Sequence, residues 1–352
     1  MGKVKLQTND ETQKTNYAFY GIFGLVTYFI WCDLSFFGGL SEEKNRHKLY
    51  RNTTLLSQKT VKLRMQDHFG HYIFLPFCVW LDKTLGISKI SFISPNVITS
   101  VHFCCAIIAG RLLASRAISV RRFGVILYEF RSMLDVLDGV VFRAQSTKKE
   151  FLSGWGTYGY MIDGLADTIG GLFVMVGTIY RLNKYPPFKN PEAVAKLKSK
   201  FKNGDEESGE RLLVAEDSCS EEVVEVYGLK RYSKKEINLT ILFFTVTVIL
   251  RSALWDHFNH SYHNLLGVKR IDVAPEKQIE VLGYGSTWFC LWLWTVHSAD
   301  AFMHFTLLTI MFGNLWRWLR FNLYASIPNI VIVSIICQIH LMQMKNLLGV
   351  SQ

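Results

Sequence analysis

Long apolar runs separated by polar connections recur along the chain, and their lengths predict its architecture. A helix needs about 20 residues to cross the roughly 30 Å of hydrocarbon in a bilayer. Runs that approach or exceed this length occupy 17–34, 95–114, 122–144, 157–181, 238–255, 286–312 and 321–342. The pattern therefore predicts an all-α, polytopic membrane protein.

A shorter apolar stretch, from Phe69 to Leu81, lies between His68 and Asp82 and contains Pro76. Its length is more typical of a helix that lies in the membrane interface than of one that crosses the bilayer. The first long run follows several lysines, as a signal sequence would. Because no small-x-small cleavage site ends that run, we interpret it as a retained transmembrane anchor.

These features divide the chain into three parts. Residues 1–34 form an N-terminal tail and transmembrane anchor, and residues 35–94 form a basic connector with the interfacial helix. Residues 95–344 form a six-helix membrane domain, which we interpret as the functional, catalytic unit of the chain. A hydrophilic loop at 182–237 interrupts this domain, and its mixed charge with few aromatic residues favours a solvated appendage.

The charge balance indicates a partner at the membrane surface. The net charge is +10, from 39 Lys and Arg against 29 Asp and Glu. We expect the basic loops to contact anionic lipid headgroups, and no nucleic-acid motif accompanies them, so a nucleic-acid partner is not predicted. The 7 cysteines are scattered, mostly in or beside apolar runs where they act as small apolar residues, and they indicate no redox compartment.

Four regularly spaced aspartates interrupt the third and fourth apolar runs. Asp135 and Asp138 are three residues apart, while Gly159, Asp163 and Asp167 recur at every fourth position, so each set shares one face of its helix. A short connection joins the two helices, which places both sets at a comparable depth. Carboxylates are costly near a bilayer and repel one another, so the pattern indicates a bound cation.

Divalent metal ions would relieve that repulsion. The motif offers oxygen ligands with no Cys or His beside them, which favours Mg²⁺, Mn²⁺ or Ca²⁺ over zinc, and two such ions suit a displacement at phosphorus. Gly139 and Gly159 leave room for a ligand, and Arg143 offers a planar guanidinium for phosphate oxygens. The plainer interpretation pairs the acids with Arg131, Arg143 or Lys148 and assigns the glycines to helix packing.

The aspartate run resembles the signature of the CDP-alcohol phosphotransferases, Asp-x2-Asp-Gly-x2-Ala-Arg-x8-Gly-x3-Asp-x3-Asp. The segment that opens the six-helix domain is also similar to the first core helix of that family. Here Ser94 can cap a helix that Pro95 begins, followed by Asn96, Ile98 and Thr99. The resemblance implies a six-helix core with two Mn²⁺ or Mg²⁺ ions at an aspartate site. It also implies transfer of a CDP-linked headgroup phosphate to an alcohol, with release of CMP.

Two departures from the family pattern narrow the resemblance. Phe142 stands where the family has Ala, and fifteen residues separate Arg143 from Gly159 where the pattern has eight. Both features resemble a divergent branch, the ceramide phosphoethanolamine synthases of insects and related invertebrates. That branch implies transfer of phosphoethanolamine from CDP-ethanolamine to the primary hydroxyl of ceramide. The oligomeric state stays open, a homodimer included.

Two other functions remain alternatives at this point. An ethanolamine or choline phosphotransferase acting on diacylglycerol would use the same chemistry, and a cleft for two acyl chains looks alike for both lipids. An ion-coupled transporter could also use buried acids, but it would need broken helices or repeat symmetry, and the sequence contains no internal repeat.

The family resemblance implies a role for each residue of the motif. Asp135, Asp138 and Asp163 would ligate the metal ions. Asp167 would complete that site and act as general base towards the acceptor hydroxyl. The residues that would hold the nucleotide and its pyrophosphate are Asn96, Gly139, Gly159 and Arg143, the last also stabilising the departure of CMP.

Two further observations concern the acceptor and the membrane side. His297, Asp300 and His304 fall on one face of the predicted span 286–312, where they would either recognise the acceptor or form plain interhelical hydrogen bonds. The positive-inside rule does not decide the orientation. The sequon at Asn52 lies on the side of the aspartates, and with the resemblance it favours a lumenal site in the Golgi, with the endoplasmic reticulum as the alternative.

Overall fold

The computed structural model describes residues 20–38, 61–145, 158–190, 230–268 and 270–350, and for 158–163 it describes the backbone alone. Asn52 and most of the hydrophilic loop lie outside these residues. The described parts form helices and one isolated bridge between Phe188 and Arg231, which confirms the all-α class. The α-helices, in chain order, are α1 (Tyr20–Gly38), α2 (Leu75–Leu85), α3 (Pro95–Leu113), α4 (Ile118–Gln145), α5 (Tyr158–Lys184), α6 (Lys234–Tyr262), α7 (Pro275–Leu282), α8 (Gly285–His297), α9 (Ala299–Met311) and α10 (Leu315–Leu348).

Five segments of the described chain are long and apolar enough to cross a membrane, which confirms a polytopic protein. They are Tyr20–Gly38, Pro95–Leu113, Gly164–Lys184, Lys234–Gly267 and Leu315–Leu348. Helix α4 has 28 residues and is long enough, but it carries charged side chains that lower its hydropathy and leave it outside this set. Those side chains are Arg121, Arg122, Glu129, Arg131, Asp135, Asp138 and Arg143.

The predicted single span at 286–312 is wrong, because the chain breaks there. Helix α8 ends at His297, and Ser298 has extended backbone angles, φ −62° and ψ 159°, before α9 begins. Serine favours helix ends because its hydroxyl competes for backbone hydrogen bonds. Each half has 13 residues, about 20 Å of helix, which is too short to cross the hydrocarbon alone.

The segment predicted to lie in the membrane interface is a short π-helix followed by a short α-helix. A π-turn at Gly70–Phe74 leads into α2, and together they are shorter than the described candidate spans. Gly86 follows the last residue of α2, and its φ of 64° lies in the left-handed region that glycine adopts without strain. Its amide donates to the carbonyl of Asp82 at 2.8 Å.

Contacts divide the chain into two compact units, while the three-part division proposed from the sequence stays a prediction. The first unit comprises 1–80, 255–298 and 333–352, and the second comprises 81–254 and 299–332. The second unit contains α3, α4, α5 and α9 and therefore holds all four aspartates of the motif.

Helices α3 and α5 of the second unit meet backbone to backbone through glycines. A Cβ atom added at Gly177 would lie 2.1 Å from the carbonyl oxygen of Gly110, and one added at Gly110 would lie 2.6 Å from that of Phe173. Small residues of this kind let helices approach closely in a membrane. The contact sets the distance between the two helices that flank α4. Residues packed around it form a continuous core that includes Ala106, Ala109, Val125, Tyr128, Val174 and Leu307.

In the first unit, a buried carboxylate attaches α1 to its neighbours. Asp33 accepts hydrogen bonds from the Tyr72 hydroxyl at 2.8 Å and the Trp292 indole at 2.8 Å, and it lies 2.9 Å from the His68 imidazole. Burial raises the pKa of Tyr72, and its bond to Asp33 adds to the shift, so this hydroxyl remains a donor. The N-terminal helix is therefore a packed part of its unit.

Candidate active site

The N-terminus of α3 has the geometry predicted for it. Ser94 has extended backbone angles, and its hydroxyl accepts from the amide of Val97 at 3.4 Å, while Pro95 occupies the first turn. This confirms the predicted cap. With the helix start fixed, residues three apart share a face of α3, so Thr99 and His102 project in the same direction.

That face of α3 meets the acidic face of α4. The Thr99 hydroxyl donates to Oδ2 of Asp138 at 2.9 Å and also contacts the carbonyl of Pro95 at 3.0 Å. Asp138 is buried, while Asp135 is part-exposed with a side-chain exposure of 28 %. The two aspartates share one face of α4, as their spacing predicts.

A histidine completes this group, which corrects the expectation of an oxygen-only cluster. Nε2 of His102 lies 3.9 Å from Oδ1 of Asp135 and 3.8 Å from Oδ2 of Asp138. One ligand atom from each of the three residues lies within 4.8 Å of the others. His102 lies outside the aspartate motif and was not predicted, although its position three residues after Thr99 is a signal that could have indicated it.

The donor set fits a divalent cation. His102 is fully buried, and among the described residues neither of its ring nitrogens has a hydrogen-bond partner. Unsatisfied buried polar atoms are uncommon and usually correspond to a functional or ligand-binding requirement. Two carboxylates and one imidazole are ligands that divalent metals accept, and with an imidazole present the donor set also suits zinc.

Asp167 has a different partner in the structure. Its carboxylate forms an ion pair with Arg131 of α4, which is buried and whose guanidinium also lies 5.4 Å from the Tyr128 ring centre. This contact agrees with the plainer interpretation of Asp167, that of an acid paired with an arginine. Its assignments as metal ligand and general base stay predictions.

Gly159 and Asp163 belong to the same four-residue repeat as Asp167. The side chain of Asp163 and the surroundings of Gly159 lie outside the described residues. Their backbone is helical and continuous with α5, so the four-residue spacing that places them on the face of Asp167 is preserved. Their predicted roles stay predictions.

Gly139 and Arg143 lie together one turn apart on α4. A Cβ atom at Gly139 would come within 3.3 Å of a terminal guanidinium nitrogen of Arg143, so the missing side chain leaves the space that this guanidinium occupies. Arg143 is exposed, and Phe142 beside it is 47 % exposed. The predicted contact of this pair with a nucleotide is untested, as is that of Asn96, which is exposed at the start of α3.

A residue two positions after Arg143 fixes the end of α4. The Gln145 side-chain amide donates to the carbonyls of Ser88 at 3.1 Å and Ile93 at 2.9 Å, in the segment that precedes α3. This contact holds the entrance of α3 against the C-terminal end of α4. Nothing in the local sequence pattern indicated it.

The three polar residues of the predicted span 286–312, which are His297, Asp300 and His304, do not share one helix face. His297 lies on α8, where Nδ1 approaches the carbonyl of Leu293 of its own helix at 2.6 Å, while Asp300 and His304 lie on α9 beyond the break. Nδ1 of His304 pairs with Glu129 of α4 at 2.9 Å. The prediction of a shared face is therefore wrong for His297, and His304 makes the interhelical contact that was the plainer alternative.

Fold and site together define an all-α membrane protein in which two neighbouring helices bring a histidine and two aspartates to one place. Comparisons with known proteins identify the class more closely. A family model described as ceramide phosphoethanolamine synthase matches residues 5–203 and 193–350, and the chain belongs to that family. The chain is 29 % identical to the ceramide phosphoethanolamine synthase of Drosophila melanogaster over 294 residues, covering 83 % of this chain and 70 % of the fly protein. No solved structure matches it significantly.

Proposed function

We propose that the protein is a CDP-alcohol phosphotransferase that moves phosphoethanolamine from CDP-ethanolamine to ceramide. The products would be ceramide phosphoethanolamine and CMP. One observation carries the proposal: Asp135 and Asp138, the first pair of the family signature, meet Thr99 and His102 in a group able to hold a divalent cation. Family membership supports the choice of ceramide and of the phosphoethanolamine headgroup.

The metal would be held by the aspartates of the motif, Asp135, Asp138, Asp163 and Asp167. When bound, Mn²⁺ or Mg²⁺ would neutralise pyrophosphate charge and stabilise the leaving phosphate of CMP. The hydrogen bond from Thr99 orients the Asp138 carboxylate for that task. A ligand that is fixed before the metal arrives loses less entropy on binding.

The nucleotide side of the site would be formed by residues around Gly139. The Arg143 guanidinium lies over this glycine, and its planar donors suit two phosphate oxygens at once. Asn96 and Gly159 complete the proposed nucleotide-binding set. These groups bind and orient the donor, which is the main contribution a protein makes to phosphoryl transfer.

Asp167 would accept the proton of the ceramide primary hydroxyl. The oxygen attacks the distal phosphorus of CDP-ethanolamine, a new oxygen–phosphorus bond forms, and the bond to the bridging oxygen breaks to release CMP. The guanidinium of Arg131, which is buried, pairs with Asp167 and holds its carboxylate in position. A general base must lie within hydrogen-bond reach of the proton that it accepts, so a fixed position is what the reaction requires of Asp167.

A transfer assay tests the proposal directly. Purified protein with Mn²⁺ and labelled CDP-ethanolamine is offered ceramide and diacylglycerol separately, with CDP-choline in parallel, and both lipid product and CMP are measured. We expect product only with ceramide and CDP-ethanolamine, and a loss of about a hundredfold or more for Asp138→Asn. Asp272→Asn, which alters an exposed acid paired with Arg270, is the matched control. If product forms with diacylglycerol but not with ceramide, the proposed acceptor is wrong. If Asp138→Asn is as active as the wild-type protein, the proposed site is wrong.

We further propose that the active site faces the Golgi lumen. The sequon Asn52-Thr53-Thr54 lies on the side of the aspartates in the predicted topology. Glycosidase treatment should increase the gel mobility of the wild-type protein and leave Asn52→Gln unchanged. An unglycosylated Asn52 in the cell would remove this support.

A further inference from the structure

His102 combines complete burial with unused binding capacity. Its exposure is 0 %, it lies in the apolar sequence of α3, and among the described residues neither ring nitrogen has a hydrogen-bond partner. Leaving a buried polar group unsatisfied costs about 1–3 kcal/mol. An imidazole at such a position therefore indicates that a ligand normally occupies one of its nitrogens.

The distances around His102 exclude a simple hydrogen bond and suit a shared cation. Separations of 3.8 and 3.9 Å from Nε2 to the oxygens of Asp138 and Asp135 exceed hydrogen-bonding distance. Adjacent donors on an octahedral ion, bound at about 2.1 Å and about 90° apart, are separated by roughly 3.0 Å. Nε2 and each carboxylate oxygen would therefore have to approach one another by less than about 1 Å to share an ion.

We propose that Nε2 of His102 is a direct ligand of the metal held by Asp135 and Asp138, so that the centre is a mixed nitrogen and oxygen site. The inference rests on the proposed function and adds a ligand that the aspartate signature does not contain. Thr99, on the same face of α3, donates to the Asp138 carboxylate and so orients a second ligand of the group.

A nitrogen ligand changes which metal the site prefers. Mg²⁺ and Ca²⁺ are hard ions that take oxygen ligands, whereas Mn²⁺ also takes oxygen ligands but, as a transition metal, accepts an imidazole nitrogen more readily than Mg²⁺ does. The centre should therefore select Mn²⁺ over Mg²⁺. Replacing His102 with Gln should lower the affinity for Mn²⁺ by about tenfold or more, because loss of even an outer-sphere partner lowers metal affinity about 10–100-fold. The affinity for Mg²⁺ should fall less, so the selectivity should decrease.

Pulsed electron paramagnetic resonance of bound Mn²⁺ tests the ligand without either substrate. The full-length protein is placed in phosphatidylcholine nanodiscs, loaded with less than one equivalent of Mn²⁺, and prepared with ordinary and with ¹⁵N-labelled histidine. We expect the modulation of a directly bound imidazole nitrogen, which changes with the isotope. It should vanish in His102→Gln and persist in His257→Gln, an exposed histidine on α6.

Two results would overturn the inference. One is wild-type protein that binds Mn²⁺ without imidazole nitrogen coupling, or that does not bind Mn²⁺ at all. The other is coupling that survives in His102→Gln. The wild-type spectrum is decisive even if the variant fails to fold. A protein that transfers phosphoethanolamine without nitrogen coupling loses only this inference, whereas coupling without transfer from CDP-ethanolamine leaves the ligand and removes the proposed function.

Discussion

Adding a single methyl group at Gly177 should separate the two helices that flank α4. A Cβ at this position would lie 2.1 Å from the carbonyl oxygen of Gly110 and 3.0 Å from its carbonyl carbon. Ordinary contact begins at 3.4 Å, so the helices must move apart by about 1.3 Å. Both atoms it meets belong to the backbone, and no side chain can rotate away to relieve the contact.

The expected cost of Gly177→Ala follows from two opposing terms. Overpacking in a tight interface costs about 1–3 kcal/mol or more. Alanine inside a helix gains up to about 1 kcal/mol over glycine. Gly171→Ala on the same helix is a matched control, because its added Cβ meets only the Tyr128 hydroxyl at 4.0 Å and should keep the gain. The gain is common to both variants, so their free energies of unfolding should differ by the overpacking cost alone, about 1–3 kcal/mol or more.

Stability and activity of both variants can be measured in nanodiscs. Gly177→Ala should unfold at a lower temperature than wild type, and Gly171→Ala at the same or a higher temperature. Because α3 carries Thr99 and α5 carries Asp167, a shift near 1 Å should also reduce transfer about a hundredfold in Gly177→Ala. If Gly177→Ala melts with Gly171→Ala and keeps full activity, the backbone contact between α3 and α5 does not exist as described.

Three other substitutions test individual contacts. Thr99→Val should weaken Mn²⁺ binding about tenfold, because a hydrogen bond to a charged group contributes about 1.5–3 kcal/mol. Thr99→Ser keeps the hydroxyl and should bind Mn²⁺ normally. If Mn²⁺ titrations of Thr99→Val and of the wild type coincide, this hydroxyl has no role in metal binding. Asp167→Asn should abolish transfer while CDP-ethanolamine binding by calorimetry survives, and loss of both together would make Asp167 a metal ligand only. Asp33→Ala leaves three half-buried donors without their acceptor, so its melting temperature should fall below that of Asp272→Asn. Coincident melting curves would contradict the docking of α1.

Hydropathy and local spacing predicted much of this molecule because they depend on helix geometry alone. Run lengths identified helices α1, α3, α4, α5, α6 and α10, and the Ser94 cap followed from the type of residue before Pro95. The face shared by Asp135 and Asp138 follows from the helical repeat in the same way. Such features need no knowledge of which helices become neighbours.

Contacts between helices were harder to predict. The length of the run 286–312 contains no information about one extended residue, so the break at Ser298 was invisible to a hydropathy window. The pairing of Arg131 with Asp167 depends on the rotation of α4 against α5, which no single helix specifies. His102 could have been found in principle, because it lies three residues after Thr99 in the helix that opens the six-helix domain.

The double hydrogen bond from Gln145 has a consequence for how this family can vary. These bonds fasten the last turn of α4 to the carbonyls of Ser88 and Ile93 and so hold its acidic face independently of the chain that follows. The stretch towards α5 can then gain or lose residues while the acidic helices keep their register. An insertion between α4 and α5 should therefore disturb the two helices less than it would without these hydrogen bonds. The fifteen residues between Arg143 and Gly159, where the signature has eight, are an insertion of this kind.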